Sequence, residues 1–391
     1  MNALPLGDIP LDTFLSDYWQ KKPLLIRGAI PNINSPIDAD TLAGLACEEG
    51  SEARLVTYEK QTDDWHLAHG PFEHDTFAQL PKTDWTLLVQ AVDHWFPQAT
   101  EFLQQFSFIP QWRIDDLMMS YASDGGGVGP HFDNYDVFLV QTDGRRRWEV
   151  GGICDAQTEL KEDVPLSLLA EFEPQHSWIL DPGDLLYLPP GYSHCGTAVG
   201  DGCITCSVGF RAPSHAEMLQ DYTDFLAENL NEAIRYTDED LTPQDNPGQI
   251  SPAALEKIQQ IILHHTNSED SIRSWFGQYI TRPKYAHESQ SPNSDEIAQI
   301  IIQLKEHLAS GGAICRNESS RFAFTSDSGR HCLYVDGHEH AKHRVGNDLI
   351  EQLCRELSFD KNTLLLSDDN NELLAELLLH EALYLVQAET D

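Results

Sequence analysis

Between residues 112 and 211 the sequence is a succession of short apolar runs, rich in aromatic and β-branched residues, that turn signals cut apart. The runs are Trp112–Tyr121, His131–Gln141, Arg145–Val150, Ser177–Leu180, Asp184–Pro189 and Cys203–Arg211, with Thr142-Asp143-Gly144 and Asp181-Pro182-Gly183 among the turns. Strands this short, separated by turns rather than helices, pair antiparallel and close into a barrel or sandwich. Residues 1–212 are therefore expected to form one β-rich domain. Over 213–290 the apolar spacing becomes helical. Ala216–Ile234 and Pro252–His264 flank the acidic, proline-bearing segment Thr237–Gly248. Residues 291–391 read as a small α+β unit. Asn293, with Glu296 three positions on, starts a helix that ends at Gly311-Gly312. Strands Arg321–Thr325 and His331–Val335, a turn at Asp336-Gly337, and helices near Asp348–Leu357 and Asn371–Val386 complete a winged-helix-like pattern.

Charge narrows the function classes. The chain carries 63 acidic and 25 basic residues, a net −38, so nucleic acid and anionic membrane both repel it. The C-terminal module lacks the basic stripe of a DNA-binding winged helix, and no direct nucleic-acid binding is expected. At 41% hydrophobic the chain is not a disordered acidic segment, and its partners are expected to be neutral or basic. The N-terminal stretch shows neither a basic n-region nor an apolar h-region, and no stretch reaches the ~18 apolar residues of a membrane span. Eight cysteines without framework spacing fit reduced thiols in a cytoplasm. Cys203 and Cys206 form one C-x-x-C inside a strand and read as buried strand cysteines rather than a redox or zinc pair.

The chemistry concentrates in two segments. After Gly125-Gly126-Gly127-Val128-Gly129-Pro130 come His131 and Asp133, two apart and so on one face of an extended chain, with Val137 and Leu139 sharing that parity. Further on, Gly183-Asp-Leu-Leu-Tyr-Leu-Pro189-Pro-Gly191-Tyr-Ser-His194 spells Gly-x5-Pro-x-Gly-x2-His, the second cupin motif, a strand and tight turn that aims a histidine into a barrel. Two histidines and one carboxylate leave three coordination positions open, which favours non-haem Fe(II) and dioxygen chemistry. The first cupin motif has a second His and a Glu where this chain has Asp133 and Val137. The lost ligand leaves room for a bidentate co-substrate.

In Arg145-Arg146-Arg147-Trp148-Glu149-Val150, parity puts Arg146 with Trp148 and Val150 on a largely apolar face. An arginine pointing into an apolar barrel needs an anionic partner. Two remain open: the distal carboxylate of 2-oxoglutarate, held by a bidentate clamp, or a structural acid. Two histidine groups read as surface features: His338-Glu-His340-Ala-Lys-His343, on an exposed wing, and His264-His265, at a helix C-terminus where the dipole favours them.

These residues resemble the JmjC (cupin-like) 2-oxoglutarate oxygenases, in particular the bacterial ribosomal oxygenases that hydroxylate an arginine. Tyr18-Trp-Gln-Lys-Lys-Pro-Leu-Leu-Ile-Arg27 is similar to the family's N-terminal lead-in. Trp112–Met118, Gly125–Asp133, Arg145–Trp148 and Ser207–Pro213 are similar to its catalytic core. The resemblance implies an α+β chain: a double-stranded β-helix (1–212), a helical dimerisation region (213–290) and a C-terminal winged-helix domain (291–391). It implies His131, Asp133 and His194 as Fe(II) ligands, Arg146 as anchor of the co-substrate 2-oxoglutarate, consumed with dioxygen, and Ser120 and Ser207 as further co-substrate contacts. The implied substrate is a basic partner, large-subunit ribosomal protein number sixteen, hydroxylated at an arginine β-carbon by a homodimer. Asp124, beside the glycine loop, is either a holder of the substrate guanidinium or a surface loop acid. The competing readings are an oxygenase of the same kind acting on histidine, methyl-lysine or a small molecule, and a non-catalytic metal-binding cupin.

Overall fold

The structure is a computed structural model that describes residues 4–285, 294–340, 345–364 and 368–387. The chain divides into two compact units, Met1–Ala212 and Pro213–Asp391.

The first unit runs α1 (Leu11–Asp17), β1 (Leu24–Ile26), α2 (Ala39–Leu45), β2 (Ala53–Glu59), β3 (Asp64–His69), β4 (Trp85–Val89), α3 (Pro97–Leu103) and β5 (Ile114–Ala122). It continues through β6 (Val137–Asp143), β7 (Arg146–Ile153), β8 (His176–Leu180), β9 (Leu185–Leu188), β10 (Tyr192–Ala198) and β11 (Cys203–Phe210). An eight-stranded sheet takes the order β1-β9-β6-β11-β5-β4-β2-β3, and a three-stranded sheet the order β10-β7-β8. Every strand pair in both is antiparallel.

Alternation along the strands gives the large sheet two faces. Val137, Leu139, Leu186 and Leu188 meet Trp148, Val150 and Leu180 of the small sheet in one apolar cluster, the inside of the double-stranded β-helix. Phe138, Val140, Leu185, Tyr187, Cys206 and Val208 point the other way, into a larger core with Phe14, Phe102 and Phe106 from the helical N-terminal half. Phe138 is fully buried and stacks within 5.0–6.0 Å of Phe14, Phe106, Phe108, Phe210 and Tyr187. Burying a ring of this size contributes about 1.5–3 kcal/mol. Cys203 and Cys206 are both buried and free, and their separation of three sends them to opposite faces of β11, so they cannot act as a pair.

The strand expected over His131–Gln141 begins only at Val137. His131 makes a single antiparallel bridge to His194, and residues between it and β6 bow away from the ladder. The sequence reading passed over β10, whose polar and small residues (Tyr192-Ser-His-Cys-Gly-Thr-Ala198) carry little strand signal.

The second unit holds α4 (His215–Asn229), α5 (Pro252–Thr266), α6 (Glu269–Thr281), α7 (Ser294–Ala309), β12 (Ala313–Arg316), β13 (Phe322–Asp327), β14 (Arg330–Val335) and β15 (His338–Glu339). Then come α8 (Asn347–Arg355), β16 (Ser358–Phe359), α9 (Asp368–Leu379) and β17 (Leu383–Val386). A capping box between Ser214 and Glu217 starts α4. The helix expected to reach Ile234 stops at Asn229, where the Asn231 side chain accepts from the Ala233 N–H and competes with the helical pattern. α6 was not expected, and the helix start expected at Asn293 lies outside the described residues. The turn Asp336-Gly337 places both residues in the left-handed region (φ 49° and 82°), the geometry of a type I′ hairpin. The single helix expected over Asn371–Val386 is α9 followed by a strand: Glu381 turns left-handed (φ 59°), and Leu383–Val386 pairs with β12.

Candidate metal centre

The glycine loop brings the first two functional side chains in. A Cβ on Gly127 would run into the carbonyl oxygen of Gly196 on β10, so only glycine lets the loop lie this close to the small sheet. Gly129 sits at φ 77°, where a side chain would also meet Leu168 and Trp65. From there the chain enters the His131–His194 bridge, with N–H···O contacts of 3.0 and 2.8 Å in the two directions. Two residues on, the Asp133 carbonyl accepts from the Gly191 N–H at 2.7 Å, joining the H-x-D segment to the turn before β10.

His131, Asp133 and His194 offer ligand atoms that all lie within 4.8 Å of one another, and among the described residues no other group of three such side chains does so. His194 Nε2 stands 3.6 Å from Asp133 Oδ2. Each imidazole is oriented from behind: His131 Nδ1 lies 2.9 Å from the Gly129 carbonyl, and His194 Nδ1 lies 2.9 Å from the Tyr192 carbonyl. A carbonyl oxygen only accepts, so each Nδ1 carries a proton, which leaves Nε2 of each ring as the nitrogen available to a metal. Burial first, then the neighbouring His131, push the His194 imidazolium down to about 4 against the pull of Asp133. His194 is therefore held neutral at pH 7, the form that binds a metal.

Farther along the inside of β7, Arg146 is only 3% exposed. Its guanidinium makes a long contact of 3.5 Å to Ser120 Oγ, lies 5.7 Å from the Trp148 ring and leaves Nε without a partner. Among the described residues no carboxylate pairs with it, whereas its neighbours Arg145 and Arg147 are exposed. Trp148 Nε1 is likewise buried and unpartnered. Ser207 lies on the same inner face, opposite Met118 and Leu139, two residues from Thr205, which faces Ser120. The structure thus brings Ser120 to Arg146 and places Ser207 along the same wall.

Asp124 is exposed and its carboxylate is engaged in the loop, where Oδ1 accepts from the Gly200 N–H at 2.7 Å. His264 and His265 end α5 with rings 4.9 Å apart. His338 and His340 fall at and just beyond β15, and His343 lies outside the described residues. Sequence reasoning missed Gly196. A Cβ there would come within 2.6 Å of the Trp148 ring, so its bare backbone seats the indole, and the small and polar residues of β10 gave no strand pattern in which the glycine would stand out.

Two imidazoles and one carboxylate on neighbouring turns of a double-stranded β-helix, with three positions open and a buried guanidinium deeper in, define a cupin-like mononuclear metalloprotein. The donor set suits a divalent iron-type ion, and the orphaned Arg146 and Trp148 donors suit an anionic, oxygen-rich ligand beside it. Residues 101–218 match the JmjC domain model. The chain is 37% identical over 306 residues to the ribosomal protein uL16 3-hydroxylase of Escherichia coli, covering 76% of this chain and 80% of that protein. The chain belongs to the JmjC-domain ribosomal oxygenases. It is also 33% identical over 341 residues to a probable ribosomal oxygenase of Haemophilus influenzae, covering 83% of this chain and 81% of that protein. The solved structure of the E. coli ribosomal oxygenase YcfD in complex with cobalt and 2-oxoglutarate superposes with a TM-score of 0.83 at 32% identity, covering 97% of this chain and 98% of that one.

Proposed function

We propose that this protein is an Fe(II)- and 2-oxoglutarate-dependent oxygenase that hydroxylates the β-carbon of an arginine in large-subunit ribosomal protein uL16. The observation that carries this reading is Arg146, a buried guanidinium with an orphaned Nε on the same inner wall as a three-ligand metal set. An unpaired buried cation is costly, and a dicarboxylate that reaches from the metal to Arg146 removes the cost.

His131, Asp133 and His194 would hold the iron, which, when bound with 2-oxoglutarate and dioxygen, supplies the oxidative decarboxylation to succinate and CO2 that hydroxylates a C–H bond. The chain's own residues supply position and dryness. The Gly129 and Tyr192 carbonyls fix both imidazoles, and hydrogen bonds of this kind behind a ligand keep its geometry from relaxing. Arg146 and Ser120 clamp the distal carboxylate, with Ser207 beside them. Val137, Leu139, Val150, Leu186 and Leu188 form an apolar wall that keeps bulk water from the reacting C–H. Asp124 stands as a substrate contact of lesser weight, because the loop already engages its carboxylate.

The net charge of −38 suits a basic ribosomal protein. No described helix is long and apolar enough to cross a membrane, and a cytoplasmic setting fits a ribosomal target. A homodimer through the helical region is supported by α5, which buries none of its side chains and exposes Leu255, Ile258 and Ile262 on one face. The divisions at 212 and 290 and the winged-helix-like character of 291–391 belong to the same proposal. The test is incubation with uL16, Fe(II) and 2-oxoglutarate. Succinate release without a gain of one oxygen on uL16 would move the activity to another substrate, and no succinate release would leave a non-catalytic cupin.

A further inference from the structure

The Tyr18–Pro23 lead-in and the buried acid Asp136 take no part in the chemistry above, yet they meet behind the metal centre. Asp136 is fully buried. Its carboxylate accepts from Tyr187 Oη at 2.6 Å and Gln20 Nε2 at 2.9 Å, with Arg113 Nη2 at 3.4 Å. The Gln20 backbone N–H donates in turn to Tyr187 Oη at 2.7 Å, and Gln20 holds a left-handed backbone (φ 56°) to do so. Arg113 lies over the Trp19 ring at 5.7 Å. A left-handed non-glycine residue persists only where its surroundings over-determine it.

We infer that Asp136 is a positioning residue for the metal centre, and that Gln20 and Tyr187 are the brace that lets it act. This inference rests on the reading of His131, Asp133 and His194 as metal ligands. The segment His131–Asp136 has no ladder of its own. Backbone hydrogen bonds fix it at the His194 bridge, at the Asp133 carbonyl and at the Asp136 carbonyl, which accepts from the Phe210 N–H at 3.1 Å. Asp133 belongs to the ligand group, whereas Asp136, beyond the bend at Asn134-Tyr135, bonds to Tyr187 of the outer core. A shift of this short segment therefore moves both carboxylates. Tyr187 sits on β9, the strand that feeds the turn to His194, and pairs with Phe138 of β6. The Tyr187–Asp136 hydrogen bond therefore ties the two ligand-bearing segments together on the reverse side of the sheet, and Gln20 clips the pair from the N-terminal strap. Burial pushes the Asp136 carboxyl up, so the three donors are what keep an acid tolerable there.

The test uses the full chain stripped of metal and titrated with Co(II), read by its d–d absorption and by calorimetry. Tyr187→Phe and Gln20→Ala are expected to weaken Co(II) binding about tenfold or more. 2-Oxoglutarate binding at saturating Co(II) is expected to change less than metal binding. Asp136→Asn, which keeps an acceptor oxygen, is expected to lose less than Asp136→Ala. Leu103→Ala, a substitution in the outer core, supplies a protein of lowered melting temperature whose Co(II) affinity stays at the wild-type value. If Tyr187→Phe and Gln20→Ala bind Co(II) as tightly as the wild type and only melt earlier, as Leu103→Ala does, the brace is structural and the inference is overturned. If the wild type itself takes no Co(II), the reading of the triad fails first.

Discussion

Alternate residues of β6 and β11 live in two different surroundings. Phe138, Val140, Cys206 and Val208 point outward into an aromatic core where rings contact rings, and a fully buried acid beside it, Asp136, has partners on three sides. Leu139 and Ser207, one residue away, point inward to a wall where Arg146 Nε and Trp148 Nε1 are buried without partners. On the outer face Asp136 finds its hydrogen-bond partners within the chain. The inner face is incomplete, and its unpaired donors lie along the barrel from three converging ligands. An enzyme of this kind places its stability on one side of a sheet and its ligand on the other, so substitutions on the two sides should fail in different ways.

The largest effect is expected inside. Asp133→Ala should abolish turnover while leaving the melting temperature of the metal-free protein close to wild type, and chelation followed by Fe(II) readdition should abolish and restore wild-type activity. Loss of folding in Asp133→Ala would break the division between faces. Next is Arg146→Met, expected to raise the KM for 2-oxoglutarate by about 30-fold or more, from the ~2–5 kcal/mol attached to truncating a buried charge pair. The same substitution should leave stability unchanged or higher, because it removes an uncompensated buried cation. Outside, Phe138→Ala should cost about 3–5 kcal/mol of stability by chemical denaturation, with the 2-oxoglutarate KM of the folded fraction little changed. Ile258→Glu on α5 should convert a dimer to a monomer in light scattering, and an unchanged mass would remove the dimer reading. The smallest effect is salt dependence. Raising ionic strength should weaken association with uL16 more than 2-oxoglutarate binding, and equal dependence would reduce the −38 to a solubility feature.

The division between faces was partly visible in the sequence. Parity alone separated Arg146 from Arg145 and Arg147, because a two-residue period needs no knowledge of partners. The spacings H-x-D and Gly-x5-Pro-x-Gly-x2-His similarly brought His131, Asp133 and His194 together, even though His131–Asp136 turned out to bow away from its strand. β10 stayed hidden: its seven residues are mostly small or polar, and it is a strand because β7 pairs with it. The end of α9 was misread for the reverse reason, since Leu383–Val386 continues a helical apolar pattern but finds a ladder on β12. Asp136 could not be read at all. Its partners Gln20 and Tyr187 lie 116 and 51 residues away, and an acid next to an apolar run looks like any turn residue until the fold closes around it.

The measurement that bears most directly on the central claim is tandem mass spectrometry of uL16 after incubation with the Fe(II)-loaded protein, 2-oxoglutarate and dioxygen, with succinate counted in the same reaction. One added oxygen localised to an arginine side chain, with succinate formed in at least equal amount, is the predicted result. Succinate formed with uL16 unmodified, or the oxygen found on a residue other than arginine, would contradict it.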